Sequence, residues 1–198
     1  MDLIFFIKSA TVDISKYTIK DIPGSSGRLD VISRCILAAI IDRDRFEKKI
    51  QIWISLDKYG IFMFNPKFLI YKKFPKNELS LANYFTELIR KKNSKNEIIQ
   101  NPLSSVKTSK LNVIQILKLL INLKYDIFVL NEIGEDFFEL LPKIQLKKKV
   151  VFIIGSQTGE FIHSKELLAL NIPTVSLGKQ SYLASSVIRL LKLHIKAL

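Results

Sequence analysis

Apolar and polar residues alternate along this chain in two rhythms, and the switches between them mark its elements. LIFFIKS, from Leu3 to Ser9, is a short apolar run and predicts a buried strand. A polar loop follows as far as DIPGSSGRLD, punctuated by Pro23, Gly24 and Gly27, with Ser25 or Ser26 placed to cap the next element. RLDVISRCILAAIIDRD then carries Leu29, Ile32, Ile36, Ala39 and Ile40 at helical spacing, and Val31, Cys35 and Ala38 add a second apolar stripe. A helix apolar on two faces is expected between two layers. Lys49–Leu56 alternates polar with apolar and reads as a strand. IFMF and FLIY flank Asn65-Pro66-Lys67, which predicts a hairpin. SLANYFTELIRKKN is an amphipathic helix with a basic last turn, which suits the helix dipole.

Residues 92–109 are the most loop-like, and Thr108 or Ser109 is placed to cap the helix KLNVIQILKLLINLK. YDIFVLNE, KKKVVFIIG and IPTVSLG predict three further strands, SKELLALN a short helix, and ASSVIRLLKLHI a closing helix. Strands and helices alternate, so the expected class is α/β with a mainly parallel sheet flanked by helices.

Composition narrows the function. At 198 residues the chain fits one domain, and 48% hydrophobic content beside 25% charged residues leaves apolar surface for a partner. The net charge is +13, with 18 basic against 11 acidic side chains in residues 1–99 and 13 against 7 in residues 100–198. The basicity is spread out rather than confined to a tail, which favours a polyanionic partner such as nucleic acid. Cys35 is the only cysteine, so no intrachain disulfide forms, which fits a reducing, cytoplasmic setting. His163 and His194 are too few for a metal site with Cys35, and no metal is expected. No apolar run approaches the ~20 residues of a spanning helix, so no membrane partner is expected.

Ligands of parallel α/β sheets bind outside the carboxyl ends of the strands. Three such ends stand out: near Leu130, at Gly155, and at Gly178. Neither G-x-G-x-x-G nor a phosphate-binding G-x-x-x-x-G-K-[ST] loop is present. Arg28 and Asp30 stand at the start of the two-faced helix. Asp30 there suits the helix dipole alone; a loop-borne Arg and Asp side by side also suit phosphate contact and proton acceptance. Spacing leaves both readings open. Cys35 reads as a packing residue.

IKDIPGSSGRLDVISRCILAAI, VVFIIGSQTG and VSLGKQSYLASSVI together resemble the archaeal tRNA (pseudouridine(54)-N1)-methyltransferase family of the SPOUT superfamily. The resemblance spans nearly the whole chain and is thinnest from about residue 58 to 123. It implies one SPOUT domain over residues 1–198, with a C-terminal trefoil knot over roughly residues 125–198. It implies S-adenosylmethionine (SAM) held by Leu130, Gly155, Leu177, Gly178, Lys179, Gln180, Ser181, Tyr182 and Val187, mostly through backbone contacts. It implies methylation of N1 of pseudouridine 54 in the tRNA T-loop by a homodimer whose closing helix, together with the helix after GRLD, packs on the partner copy. A relative in ribosome biogenesis carries a similar Arg-x-Asp, which implies Asp30 as orienting group or proton acceptor and Arg28 as the group holding phosphate or base. Arg34, one turn on, is a second candidate for RNA contact. Three positions depart from the family pattern: Ser156 and Gln157 stand where the family usually has an aspartate and a histidine, and Val187 where it commonly has a cysteine. The alternatives are a ribosomal RNA pseudouridine methyltransferase, or a non-catalytic RNA-binding or assembly protein on the same scaffold.

Overall fold

The N-terminal apolar run becomes the centre of a sheet. In the computed structural model, which describes residues 1–92, 101–155 and 161–196, strand β1 (Asp2–Ser9) is flanked in parallel by β4 (Ile50–Leu56) and β8 (Lys149–Ile154). A strand covered on both faces needs continuous rather than alternating apolarity, and Leu3 to Ile7 are all buried. Beyond β8 lie β7 (Asp126–Asp136) and β9 (Thr174–Ser176), both parallel. Beyond β4 lie β5 (Gly60–Phe64) and β6 (Lys107–Ser109), both antiparallel. The order is β6-β5-β4-β1-β8-β7-β9, and a separate two-stranded ribbon pairs β2 (Ile41–Asp42) with β3 (Arg45–Phe46). The expectation of a mainly parallel α/β sheet is met.

Helices cover both faces: α1 (Ile22–Ser25), α2 (Leu29–Ile40), α3 (Glu78–Lys92), α4 (Val113–Asn122), α5 (Phe137–Gln145), α6 (Lys165–Leu168) and α7 (Ala184–Lys196). One core joins β1 and β4 side chains to α2, α3, α5 and α7, and includes Phe5, Phe152, Leu29, Ile36, Phe85 and Ile188. A second, built on Ile4, Phe6, Val151 and Ile153, is closed by Ile116, Leu117 and Leu120 of α4 and by Leu167 of α6.

The second apolar stripe of α2 finds its cover within the same chain: α2 lies between the sheet and α7. Lys192 of α7 ties the two helices, donating to the carbonyls of Ala38 at 2.7 Å and Ile41 at 3.1 Å at the end of α2. Cations suit a helix C-terminus, where carbonyls lack partners. Burial pushes the Lys192 ammonium down to about 8, Asp42 opposing this and Arg189 adding to it. The unfolded chain keeps this lysine charged up to its ordinary value of 10.5. Between those values the unfolded state binds more protons, so this group makes stability rise with pH. We expect the urea midpoint of the wild-type protein, relative to Lys192→Met, to climb between pH 7.5 and 9.5; a difference that stays flat would refute the burial of this charge.

Three local expectations are corrected. The hairpin does not turn at Asn65-Pro66-Lys67: those residues enter a single 3-10 turn over Pro66–Phe68, capped by the Asn65 side chain on Lys67 N at 3.0 Å. The real reversal lies earlier, between β4 and β5, pairing Ile52 with Phe64 and closing at Gly60 with φ of 86°. Thr108 and Ser109 belong to β6, and α4 is capped by Asn112, whose carboxamide accepts from Gln115 N while the Gln115 side chain accepts from Asn112 N, both at 2.9 Å. Helix α5 escaped the pattern because it follows β7 without a break and contains Pro142. Ser26 stands two residues before the N-cap of α2 rather than at it, yet its hydroxyl accepts from Leu29 N, in the first turn, at 3.0 Å.

Candidate active site

The three strand ends named from sequence are neighbours. Strands β8, β7 and β9 are consecutive and parallel, so Gly155, Leu130 and Leu177 emerge at one end of the sheet. Strand β7 pairs with β9 in two stretches: Leu130 faces Val175, and after a shift Glu135 faces Val175 again, so residues 131–134 loop out. Gly134 permits this, because a Cβ there would lie 2.6 Å from the backbone of Val175. The Ser176 hydroxyl fastens the loop, donating to Glu132 O at 3.1 Å and accepting from Gly178 N at 3.1 Å.

Around this point Leu130 and Leu177 are half-buried against the core, and Lys179, Gln180, Ser181 and Tyr182 are exposed. Gly178 adopts φ of 109° with open space where a side chain would stand. Gly155 is half-buried, and a Cβ there would come within 2.3 Å of the Ile162 side chain. Val187 is half-buried in the first turn of α7 and packs on the core. Ser156 and Gln157 lie outside the described residues.

Arg28 and Asp30 stand at the carboxyl end of β1. Arg28 is the N-cap of α2 and adopts a left-handed backbone, φ 73° and ψ 38°, directly after Gly27 at φ 59°. Non-glycine residues hold that conformation only where their surroundings enforce it. Here the enforcement is visible: Thr11 Oγ1 donates to Gly27 O at 2.9 Å, and Asp13 N donates to Ser26 O at 3.1 Å.

The Arg28 guanidinium meets Asp30 in a two-point contact, Nε to Oδ1 at 3.1 Å and Nη2 to Oδ2 at 3.3 Å. Arg34 Nη2 donates to Asp30 Oδ2 at 2.7 Å, and Arg34 Nε stands 3.1 Å from Glu78 Oε2. Burial pushes the Asp30 carboxyl up, but the two guanidiniums outweigh it and hold the group below the usual carboxylate range. Asp30 is therefore an ionised acceptor with its oxygens engaged, shaped to fix guanidiniums rather than to collect a proton. Glu78, in the first turn of α3, is the member of this network that sequence reading missed. An acid there suits the helix dipole regardless, and its meeting with Arg34 is long-range, so no local signal announces it.

A cavity of about 50 Å³ joins the two halves of the site, with Arg28, Ser9, Thr11, Val31, Gly155 and Ala184 in its wall. It holds a few atoms, the size of a reacting end rather than of a whole cofactor. Cys35 also lines it, but burial pushes that thiol up to about 12, so it stays protonated and packs. Among the described residues, no group of three or more His, Cys, Asp or Glu side chains could hold a metal ion. No described helix is long and apolar enough to cross a membrane.

A family model described as "Putative SAM-dependent RNA methyltransferase" matches residues 2–198. The chain belongs to this family. Among curated relatives, the tRNA (pseudouridine(54)-N(1))-methyltransferase of Pyrococcus abyssi is 26% identical over 206 residues, covering 98% of each chain. The enzyme of the same name from Thermococcus onnurineus is 27% identical over 184 residues, covering 87% of this chain and 85% of its own. Archaeoglobus fulgidus Nep1 bound to S-adenosylhomocysteine shares the fold with a TM-score of 0.62 at 14% identity, covering 100% of this chain and 98% of its own. A SAM-dependent methyltransferase of RNA thus brings the carboxyl ends of β7, β8 and β9 to one end of the sheet, with a paired Arg and Asp across a small cavity from Gly155.

Proposed function

We propose that this protein transfers a methyl group from SAM to N1 of pseudouridine 54 in the T-loop of tRNA. The observation that carries the reading is the match over 98% of both chains to a relative of that name, in a chain that sets Arg28, paired with Asp30, across a small cavity from Gly155 at the end of β8. The strand ends fit the cofactor: Gly178 leaves open space at the turn, and the loop after β9 is exposed.

Bound SAM supplies an electrophilic methyl group. The backbone of Leu130, Gly155 and Leu177 to Tyr182 would hold it, with Val187, packed on the core, behind them. In-line displacement makes alignment the main task of the protein. Arg28, fixed by Asp30, holds the target nucleotide through phosphate or base, and Arg34 supports Asp30 from the next turn. With both Asp30 oxygens occupied, its role is to orient, and the N1 proton leaves to solvent water.

The same reading makes residues 1–198 one SPOUT domain, knotted over about 125–198, working in the cytoplasm as a homodimer. Leu183 and Leu193 of the closing segment are 64% and 62% exposed, apolar surface that a second copy would cover.

The test is transfer from labelled SAM onto two matched tRNAs, one with pseudouridine and one with uridine at T-loop position 54. Label on the pseudouridine tRNA alone is expected. Label on neither, with SAM bound, would move the substrate to another RNA, and failure to bind SAM would end the enzyme reading.

A further inference from the structure

The left-handed turn that presents Arg28 is held from outside, and the contacts that hold it lead back to Tyr59. Thr11 fastens Gly27, and Asp13 N fastens Ser26. Asp13 is gripped in turn by the bend between β4 and β5. Its Oδ1 accepts from the Tyr59 hydroxyl at 3.2 Å and from Ser15 N at 2.9 Å, and its Oδ2 takes the Lys58 ammonium. The Tyr59 hydroxyl also accepts from Ile14 N at 3.0 Å. A phenol both donates and accepts, and here it does so on two consecutive residues of the loop.

The phenol stands on a firm base. Tyr59 is half-buried against the core, and its backbone N donates to Leu56 O at 2.9 Å. The bend that carries it is tied to the end of β1: Asp57 N donates to Ser9 O at 3.2 Å, and Lys8 Nζ donates to Asp57 Oδ2 at 2.8 Å. Val12 and Ile14 are buried, so the loop is also held to the core by apolar contact. Apolar burial is non-directional. The hydrogen bonds at Asp13 and Ile14 decide which way the loop's peptide groups point.

We propose that Tyr59 is a positioning residue for methyl transfer: its hydroxyl aligns Asp13, Asp13 holds Ser26, and the turn so fixed aims Arg28 at the target nucleotide. The proposal rests on the role given to Arg28 in the preceding section. Arg28 has φ of 73°, a conformation that a non-glycine residue keeps only under outside constraint. Asp30 fixes the guanidinium at the far end of the Arg28 side chain, and Tyr59 fixes the backbone from which that side chain starts. The clamp works by direction rather than by charge. Lys58 is 56% exposed, and an ion pair so open to water contributes little, whereas the Tyr59 contacts to Asp13 and Ile14 are part-buried.

The experiment follows Tyr59→Phe, in the wild-type background and in Arg28→Ala, by transfer from labelled SAM to the pseudouridine tRNA and by hydrogen exchange of the segment 11–28. Tyr59→Phe should lower kcat/KM for tRNA roughly tenfold, with SAM affinity unchanged, because a small misplacement of an aligning group is costly. In Arg28→Ala it should cost nothing further, since two changes that act through one group do not add. Exchange across residues 11–28 should quicken. Lys58→Met should stay within about twofold of wild type, and Asp13→Asn, whose carboxamide oxygen still accepts from Tyr59 and Ser15, should do the same. A tyrosine with a merely structural role would lower Tm yet leave the rate of the folded enzyme at 25 °C unchanged. A wild-type rate in Tyr59→Phe would therefore overturn the proposal, as would an equal loss with and without Arg28. Exchange is read without RNA, so a wrong assignment of the target base leaves that arm intact, and unchanged exchange over residues 11–28 would overturn the clamp by itself.

Discussion

Asp30→Ala is expected to lower methyl transfer by about 100-fold or more, equivalent to ~2.7 kcal/mol of barrier, while SAM affinity stays within a few-fold of wild type. The reason lies in what Asp30 holds. Its two oxygens take three hydrogen bonds from Arg28 and Arg34, and among the described residues Asp30 is the anchor of the Arg28 guanidinium. Without the carboxylate, Arg28 is a half-exposed side chain with its rotamers released, and alignment is what this reaction most needs. Gly155, one of the residues proposed to hold the cofactor, lies across the 50 Å³ cavity from Arg28 and takes no part in that pairing.

Asp30→Asn separates orientation from proton transfer. A carboxamide still accepts from Arg28 but is no base, so the Asn variant should fall between wild type and Ala, with the pH profile of the rate unchanged in shape. A base works best with its pKa near the operating pH, and the guanidiniums hold Asp30 well away from that. Asn as inactive as Ala, together with a lost pH limb, would restore the proton-acceptor role. Asp30→Ala within a few-fold of wild type would remove the residue from the site altogether.

Periodicity reveals what one element needs, not which neighbour supplies it. Val31, Cys35 and Ala38 correctly mark α2 as a helix covered on two sides, yet the cover that the structure supplies is α7 of the same chain, nearly 150 residues away. The turn at Asn65-Pro66 carries a strong local signal, and FLIY looks as strand-like as IFMF; only the pairing of Ile52 with Phe64 shows which segment returns to the sheet. Strand β7 was legible to Glu132, but its second contact with β9 depends on Gly134 lying against Val175, a long-range event. At the site, the strand ends followed from glycines after apolar runs. Arg28 and Asp30 were visible as residues but not as a pair, because the left-handed turn that brings them together is held by Thr11 and Asp13 from the preceding loop. Glu78 was invisible for the same reason.

That turn yields the second large effect. Gly27→Ala is expected to destabilise the protein by about 3 kcal/mol or more, a fall in Tm of roughly 6–12 °C for a chain of this size. Two costs add. The backbone at Gly27 has φ of 59°, which an alanine adopts at ~1–2 kcal/mol. The new Cβ would also stand 1.8 Å from Thr11 O and 2.6 Å from Thr11 C, backbone atoms with no rotamer to give. Relief requires the segment around Thr11 to retreat, which breaks the Asp13–Ser26 hydrogen bond and moves a wall of the cavity beside Arg28. Activity should therefore fall further than stability alone accounts for at 25 °C. Gly178→Ala is the control: its φ of 109° also disfavours a side chain, but nothing lies within 4 Å of the new atom, so only the conformational cost applies and the loss should be smaller. Thermal unfolding of both variants decides the matter, and a Gly27→Ala protein melting within 2 °C of wild type would mean that the loop around Thr11 does not press on Gly27 and does not hold Arg28 in place.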